Sequence, residues 1–255
     1  MRKISCLAAL LVVLGSVSVA NASEKKEGGH SGSHWSYEGA TGPQHWGAID
    51  STNRMCASGV NQSPIDLKNL IEADLQPIAF AYDAQATEVL NNGHTVQVNF
   101  APKTASIQLD GTAFELKQFH FHAPSENVID GKPFAMEAHF VHADVAGNLA
   151  VVAVMLQEGD DNAALAGLWK ELPKKADGPH VLTAKVIAQD LLPTDRDYYR
   201  FNGSLTTPPC TEGVRWLVLK QPISVSAEQV KGFTDIMGHA NNRPLQPVHA
   251  RPVLQ

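Results

Sequence analysis

His120 and His122, which are separated by one residue, end a Gln-Phe-His-Phe-His segment. A third histidine, His139, follows in a Glu-Ala-His segment. Side chains alternate between the two faces of a strand, so His120 and His122 point the same way in an extended segment. His139 on a neighbouring strand would complete a group of three. Three neutral imidazoles suit zinc, and a site with three protein ligands leaves a fourth position for water. The spacing therefore predicts a catalytic zinc site that activates water.

The residues around the three histidines support the metal interpretation. Gln118 and Glu137 each precede a ligand by two residues and share its face, where an oxygen can accept the second imidazole N–H. His142 is three residues from His139, faces the other side, and is excluded as a ligand. Two packed core histidines remain the alternative for an isolated His-x-His. Copper, iron and nickel also accept imidazole, but a ligand set without carboxylate favours zinc.

The chain begins with a targeting segment. Two basic residues, an apolar run over residues 4–19 and an Ala-Asn-Ala pattern ending at Ala22 predict a secretory signal peptide over 1–22. The run is too short to predict a spanning helix. Residues 23–34, which include His30 and His34, are polar and aperiodic and predict a disordered lead-in. Residues 35–255 then form one domain, periplasmic or secreted.

The cysteines predict a disulfide, and the net charge limits the classes of binding partner. Cys56 and Cys210 are the two cysteines left after cleavage, and an exported protein meets an oxidising compartment, so they are predicted to form a disulfide. Two unrelated thiols are the alternative. The formal net charge of −6 becomes more negative when Arg2 and Lys3 leave with the signal peptide. An acidic domain disfavours nucleic acid and anionic membranes as partners.

Hydrophobic patterning predicts a sheet. Apolar alternation or continuous apolar runs predict strands over residues 95–100, 106–109, 114–122, 135–142, 149–156 and 214–219. The run at 149–156 is continuous, which is typical of a strand buried on both faces. Helical signals appear only over 162–171 and 226–237, the second with Ser226 as N-cap. The fold class is mainly β (α+β), a single domain around a central, largely antiparallel twisted sheet with short peripheral helices.

The segment from Asn202 to Cys210 carries a second group of polar side chains. Pro208 and Pro209 remove two backbone donors and bias Thr207 away from helix. The segment is therefore predicted to be a rigid loop that presents hydroxyls, with no regular secondary structure.

Taken together, these motifs resemble the alpha class of carbonic anhydrases, in particular its exported bacterial members. The resemblance runs from Trp35 to Pro247 and is carried by motifs at residues 42–46, 61–65, 91–94, 118–122, 137–139, 203–209 and 241–247.

The resemblance implies an alpha-carbonic-anhydrase fold and a set of site residues. Zinc is held by His120, His122 and His139, with Gln118, Glu137 and the backbone of Asn241 around them. Thr206 accepts a hydrogen bond from zinc-bound hydroxide and donates its own to Glu126, which keeps a lone pair aimed at the substrate carbon. An apolar substrate pocket is lined by Val141, Val151, Leu205, Thr207, Val214 and Trp216.

Proton export is also implied by the family. His94 corresponds to the proton shuttle, and the accompanying water network is placed at Tyr37, Asn92 and Gln97. Gln97 stands where many relatives have a shorter amide, and the stretch from His122 to Glu126 is shorter than in vertebrate relatives. The water path and the pocket rim therefore differ from theirs.

The implied function is zinc-dependent, reversible hydration of carbon dioxide to bicarbonate and a proton, by attack of zinc-bound hydroxide with histidine-mediated proton export. Sulfonamides and anions are the inhibitors that the family implies, and a homodimer is compatible with it. There are two alternative functions. In a cupin-type metal oxidase Glu126 would be a ligand, but Gly131 arrives too early for that motif. A non-enzymatic member of the same fold would lack a zinc histidine, and all three are present.

Overall fold

The computed structural model describes residues 34–255. The predicted signal peptide and the lead-in up to residue 33 lie outside the described residues. The helices are α1 (Trp46–Ile49), α2 (Met55–Ser58), α3 (Ala166–Lys170) and α4 (Ala227–Met237), with 3₁₀ turns at Gly39–Thr41, Ser51–Asn53 and Ala188–Leu191. The strands are β1 (Asp66–Leu67), β2 (Ala79–Ala81), β3 (Glu88–Asn91), β4 (Val96–Asn99), β5 (Ser106–Leu109), β6 (Thr112–His122), β7 (Val128–Ile129), β8 (Met136–Ala143), β9 (Leu149–Glu158), β10 (Asp177–Val181), β11 (Tyr198–Ser204), β12 (Glu212–Leu219) and β13 (Ile223–Val225).

One large sheet dominates the part of the chain that the structure describes. Its strands follow the order β10-β3-β4-β6-β8-β9-β12-β11, with β2 and β5 beyond β6 and β13 beside β9. All pairs are antiparallel except β9 with β12 and β9 with β13. The short strands β1 and β7 form a separate parallel pair. The predicted fold class, mainly β around a largely antiparallel sheet, is confirmed.

The two faces of the sheet bury different clusters. One face packs Phe119, Phe121 and Phe140 against α3 and α4, which contribute Leu168 and Phe233. The opposite face packs a second apolar cluster of Val151, Ala153, Met155, Phe201, Val214, Trp216 and Val218. Strand β9 lies at the centre and is buried over most of its length, as its continuous apolar run predicts. The helices therefore cover one face and leave the other face for the histidines.

Both predicted helices are present, but only one has the predicted length. Helix α4 begins and ends close to the prediction, and Ser226 forms a capping box with Gln229. The helix predicted over 162–171 is shorter and begins only at Ala166. Asn162 instead accepts a hydrogen bond from the backbone N–H of Ala164, so its side chain stabilises a turn before the helix.

The prediction that residues 202–210 contain no regular secondary structure is wrong for the first three. Strand β11 continues through Ser204, because Asn202 and Gly203 pair with Arg215 and Val214 of β12. The register then shifts before Ser204, and the irregular segment begins at Leu205. Proline excludes ladder bonds only at its own position, so the strand can continue up to that point.

The predicted disulfide between Cys56 and Cys210 is confirmed. The bond joins the N-terminal helical region to the end of the loop after β11, across 154 residues of sequence. Around it lies a small aromatic cluster that contains Tyr37 and Trp46, with Trp35 packed against it. The bond therefore closes a long stretch of chain beside the loop that carries Thr206. Within residues 34–255, no helix has the length and apolar character that crossing a membrane requires.

His142 lies on the sheet face away from His120 and His139. It is fully buried, contacts the Tyr82 hydroxyl through Nε2, and lies 3.1 Å from the Ala150 carbonyl oxygen through Nδ1. Burial lowers the pKa of His142 from 6.5 to about 4, and the Ala150 carbonyl raises it in part. The folded state therefore holds this imidazole neutral at neutral pH.

We expect His142 to contribute to acid destabilisation. Its folded-state pKa of about 4 lies below the ordinary value of 6.5, so the unfolded chain binds the proton first and stability falls by up to about 3 kcal/mol between those pH values. Above pH 6.5 the residue adds no pH dependence. Urea unfolding of wild type and His142→Phe at pH 7, 5.5 and 4.5 measures the effect, with the exposed His180→Phe as control. An equal loss of stability in wild type and His142→Phe would contradict this prediction.

Candidate metal centre

The register of the sheet brings the three histidines together. His120 on β6 lies directly opposite His139 on β8, and His122 lies opposite Glu137. Directly paired residues point to the same face, and so do residues two apart on one strand. The three imidazoles therefore lie on one face, and one ring nitrogen from each lies within 4.8 Å of the others. Among the residues that the structure describes, this is the one such group of three or more metal-ligating side chains.

Each imidazole is oriented through its other nitrogen. Gln118 Oε1 accepts a hydrogen bond from His120 Nδ1 at 2.8 Å, and the Asn241 carbonyl oxygen accepts one from His122 Nδ1 at 2.7 Å. Glu137 Oε1 lies 2.9 Å from His139 Nε2, although this contact lacks hydrogen-bond alignment. Nε2 of His120, Nε2 of His122 and Nδ1 of His139 therefore remain to hold a metal.

The electrostatics suit neutral ligands. Burial lowers the pKa of all three histidines, and well below the ordinary value for His120 and His139. For His120 and His139 the neighbouring His122 lowers the pKa further, whereas the bond to Asn241 raises that of His122. Metal binding requires the neutral imidazole, so no proton competes for these nitrogens near pH 7.

Glu126 reaches into the same region from the loop after β6. Its Oε1 accepts a hydrogen bond from the Arg243 backbone N–H at 2.8 Å, while Oε2 lies 3.5 Å from His122 Nε2. Burial raises the pKa of this carboxyl group well above its ordinary value, and hydrogen bonds from Arg243 and from the Thr206 side chain lower it in part. Thr206, itself buried, thus lies beside Glu126 at the edge of the histidine group.

Glu137 holds the loop that carries Glu126. Its Oε2 accepts from the backbone N–H groups of Glu126 and Asn127 at 2.7 and 2.8 Å, and its Oε1 accepts from Asn127 Nδ2 at 2.8 Å. One carboxylate therefore contacts His139 and anchors the loop. No role for Asn127 is predicted from the sequence, since nothing in its local pattern marks it as a partner of Glu137.

Unpaired buried polar atoms test whether a metal fits. Within residues 34–255, three buried side-chain atoms have no hydrogen-bond partner: His122 Nε2 and Glu126 Oε2, which lie 3.5 Å apart, and His139 Nε2, which lies against Glu137. A buried polar atom left unpaired costs about 1–3 kcal/mol, so such atoms are rare without an ion or a water. Three convergent neutral nitrogens beside a carboxyl oxygen form a donor set that suits zinc with one further small ligand.

The predicted apolar pocket residues lie on the same face. Val141, Val151 and Trp216 pair in one row across β8, β9 and β12. The Trp216 ring stands edge-on to the His139 ring at 4.9 Å, and its Nε1 donates to the Ser204 carbonyl oxygen at 3.0 Å. Val214 and Leu205 pack in the same cluster, whereas Thr207 is half-buried in the loop beyond them.

His94 lies in a group of aromatic rings. Its ring stacks on Trp35 with centroids 3.5 Å apart and on His34 at 4.8 Å, and Tyr37 stands edge-on at 6.4 Å. Burial lowers the pKa of His94 from 6.5 to about 4, and His34 and His239 lower it further. His34 lies in the segment predicted to be a disordered lead-in, and no sequence pattern marks His239, because ring stacking leaves no mark in residue spacing.

Two of the predicted water-network residues make direct bonds to protein. Asn92 Oδ1 accepts from the backbone N–H groups of His94 and Thr95, both at 2.9 Å, so it stabilises the turn. Gln97 pairs opposite His120 in the sheet and donates from Nε2 to Asn99 Oδ1 at 2.7 Å. Tyr37 is buried, and its ring lies 5.8 Å from that of His239.

Comparison with known proteins identifies this fold and site. A family model described as eukaryotic-type carbonic anhydrase matches residues 41–255. The carbonic anhydrase of Pectobacterium carotovorum is 48% identical over 221 residues, which cover 87% of this chain and 90% of that protein. The carbonic anhydrase of Neisseria gonorrhoeae is 44% identical, with 87% and 88% covered.

A solved structure also supports the similarity to carbonic anhydrases. The alpha-carbonic anhydrase of Thermovibrio ammonificans, in complex with the inhibitor sulfanilamide, superposes with a TM-score of 0.85 at 46% identity, covering 87% of this chain and 99% of that one. This large mixed sheet with a few short helices is thus the fold of alpha-class carbonic anhydrases. The chain belongs to the eukaryotic-type, or alpha-class, carbonic anhydrase family, and it is an enzyme of that family. The cupin alternative is thereby excluded.

We expect the stacked ring of Trp35 to control the basicity of His94. Burial is the largest cause of the low pKa, so Trp35→Ala should raise the pKa of His94 from about 4 toward 6.5, because the charged imidazolium regains water. Trp35→Phe retains a stacking ring and should leave the pKa low. NMR titration of the His94 ring protons measures it. A pKa unchanged in Trp35→Ala would refute this role of the stack.

Proposed function

We propose that this enzyme catalyses the reversible hydration of carbon dioxide to bicarbonate and a proton, with zinc held by His120, His122 and His139. The observation that carries the proposal is the group of three neutral imidazoles, two of them fully buried and one half-buried, whose free nitrogens converge. When bound, zinc acidifies a water and so supplies hydroxide at neutral pH, a property for which carbonic anhydrase is the standard example.

Thr206 and Glu126 would orient the nucleophile. Glu126 is fixed through Oε1 by the Arg243 backbone N–H, which leaves Oε2 to accept from the Thr206 hydroxyl. A threonine that donates to a carboxylate has only its lone pairs left to offer, so it would accept a hydrogen bond from the attacking oxygen. The remaining lone pair of that oxygen then points toward the substrate carbon, which is a gain from orientation.

The apolar row formed by Val141, Val151 and Trp216 would receive carbon dioxide. The row lies beside His139 and is joined by Val214 and Leu205. Carbon dioxide is small and has no net dipole, so a lining that offers no hydrogen bonds accepts it at little cost in desolvation. The same row would receive small inhibitors, and the Thermovibrio ammonificans relative carries sulfanilamide.

His94 would take the proton out of the site. Its stacked position gives it a pKa of about 4, so a proton carried there is released readily to solvent or to buffer. Accepting a proton requires a more hydrated ring, since water favours the charged imidazole. Proton export by His94 therefore depends on how far its ring moves away from the ring of Trp35. We propose that the mature protein is periplasmic or secreted, because a disulfide persists where the surroundings are oxidising.

The test of the zinc assignment combines metal content with activity. We expect elemental analysis to give one zinc per chain, and carbon dioxide hydration to disappear on chelation and return with zinc. His139→Ala should lose both metal and activity, because two nitrogens hold zinc less tightly and weaken the acidification of water. His180→Ala, on the exposed edge strand β10, is the matched control and should keep both. Iron in the active protein, or full activity of His139→Ala, would refute the assignment.

A second test separates proton export from the chemical step. His94→Ala should slow hydration in dilute buffer but leave zinc content unchanged, because the ring touches no zinc ligand. Imidazole-type buffers should restore the rate, since a diffusing base replaces the missing one. His249→Ala is the control. Equal losses in dilute and concentrated buffer would show that His94 does not act in proton export.

A further inference from the structure

Arg243 is a buried arginine whose guanidinium binds neutral oxygens. Only 2% of the residue is exposed. Nη1 donates to Gln62 Oε1 at 2.9 Å and to the Ser63 carbonyl oxygen at 2.8 Å, and Nη2 donates to the Cys56 carbonyl oxygen at 3.1 Å. Arginine is rarely buried unless it is paired, and no carboxylate within residues 34–255 forms a salt bridge with this guanidinium.

The three partners of Arg243 hold both ends of the loop at residues 205–209, here called the Thr206 loop. At its start, Ser63 and Ser204 exchange two bonds, from Ser63 N to Ser204 Oγ at 2.9 Å and from Ser204 N to Ser63 Oγ at 3.1 Å. At its end, Gln62 Nε2 donates to the Cys210 carbonyl oxygen at 3.0 Å, and Cys56 is bonded covalently to Cys210.

The backbone of Arg243 holds the other side of the same contact. Its N–H donates to Glu126 Oε1 at 2.8 Å, across 117 residues of sequence. One residue therefore fixes Glu126 through its backbone and both ends of the Thr206 loop through its side chain. The distance and direction between the Thr206 hydroxyl and the Glu126 carboxylate depend on both attachments.

The close packing around this network leaves it little freedom. A Cβ added to Gly203 would lie 2.1 Å from Ser63 Oγ, so glycine is needed there for the exchange between Ser63 and Ser204. The guanidinium also lies 5.7 Å from the centre of the Trp46 ring. Burial lowers the pKa of Arg243 to about 10, although Glu126 raises it in part, so the charge is held at a cost. Buried charges of this kind often contribute less to stability than apolar residues of the same size.

We propose that Arg243 is a positioning residue for the reaction, which fixes the Thr206 hydroxyl relative to Glu126 by bonding Gln62, Ser63 and Cys56. The inference rests on the proposed function, since it assigns Arg243 a role through Thr206. It also explains why a costly cation lies where an apolar side chain would pack.

The experiment is a double-mutant cycle between Arg243→Lys and Thr206→Ala, measured on the zinc-loaded enzyme as kcat/KM for carbon dioxide hydration. Lysine keeps the charge, but its single nitrogen lacks the planar fork through which two arginine nitrogens reach three separate oxygens. We expect Arg243→Lys to lower kcat/KM about tenfold in the wild-type background and less than about twofold in Thr206→Ala, because residues in one hydrogen-bond network couple. Zinc should stay at one per chain in every variant.

A second variant allows the proposal to be tested even if Arg243→Lys does not fold. Gln62→Met is nearly isosteric and removes the link between Arg243 and Cys210, so it should show the same dependence on Thr206. Arg200→Lys, which alters an arginine paired with Asp110, is the control and should lower kcat/KM equally little in both backgrounds.

The outcomes separate the two proposals. Equal losses from Arg243→Lys and Gln62→Met in both backgrounds, with an active wild type, would overturn the positioning role alone. Loss of zinc in these variants would overturn it as well, because the effect would then act on the metal. A wild-type enzyme that holds no zinc and hydrates no carbon dioxide would overturn the proposed function, and this inference with it.

Discussion

The antiparallel register between β6 and β8 is the constraint on which the site depends. It pairs His120 with His139 and Gln118 with Val141, and the register between β8 and β9 places Val141 opposite Val151. A slip of one residue would turn every one of these side chains to the other face. That face is occupied by Phe119, Phe140 and the helices, so the slipped register would bury imidazoles among rings and expose aromatic residues. Core packing thus specifies the geometry of the polar centre.

Burial of so many polar groups is tolerated because each is bonded from several directions. Glu137 accepts three hydrogen bonds from Glu126 and Asn127, and Asn241 bonds His122, Ala123 and the carbonyl of Phe121. Such a network is rigid because loss of one bond leaves a buried group unpaired. Three buried side-chain atoms in residues 34–255 are left without a partner, and two of them, His122 Nε2 and Glu126 Oε2, lie where the proposed zinc and its ligand would be. The unpaired buried side-chain atoms of the described residues are therefore concentrated at the histidine group.

The features that the sequence predicted are those that depend on local residue patterns. The His-x-His alternation, the N-cap at Ser226 and the apolar run of β9 depend on neighbours a few residues away, and the structure agrees with the last two. Strands β3 and β10 were missed because β3 has only four residues with polar ones at both ends, and β10 is exposed throughout. The positions of Asn127, Arg243 and His34 depend on bonds or ring contacts that span ten residues or more, which no local spacing encodes. Family resemblance supplied the roles of Thr206 and Glu126.

The hydrogen bond from His122 to Asn241 spans 119 residues, and it sets an order of events as the chain is made and folded. The three histidines and the strands that carry them are synthesised well before Asn241. Contacts of such long range form slowly, because loop closure must precede them. Until they form, His122 lacks the acceptor that fixes its ring and Glu126 lacks its backbone donor. The orientation of both side chains is therefore complete only when the C-terminal part of the chain has folded onto the sheet.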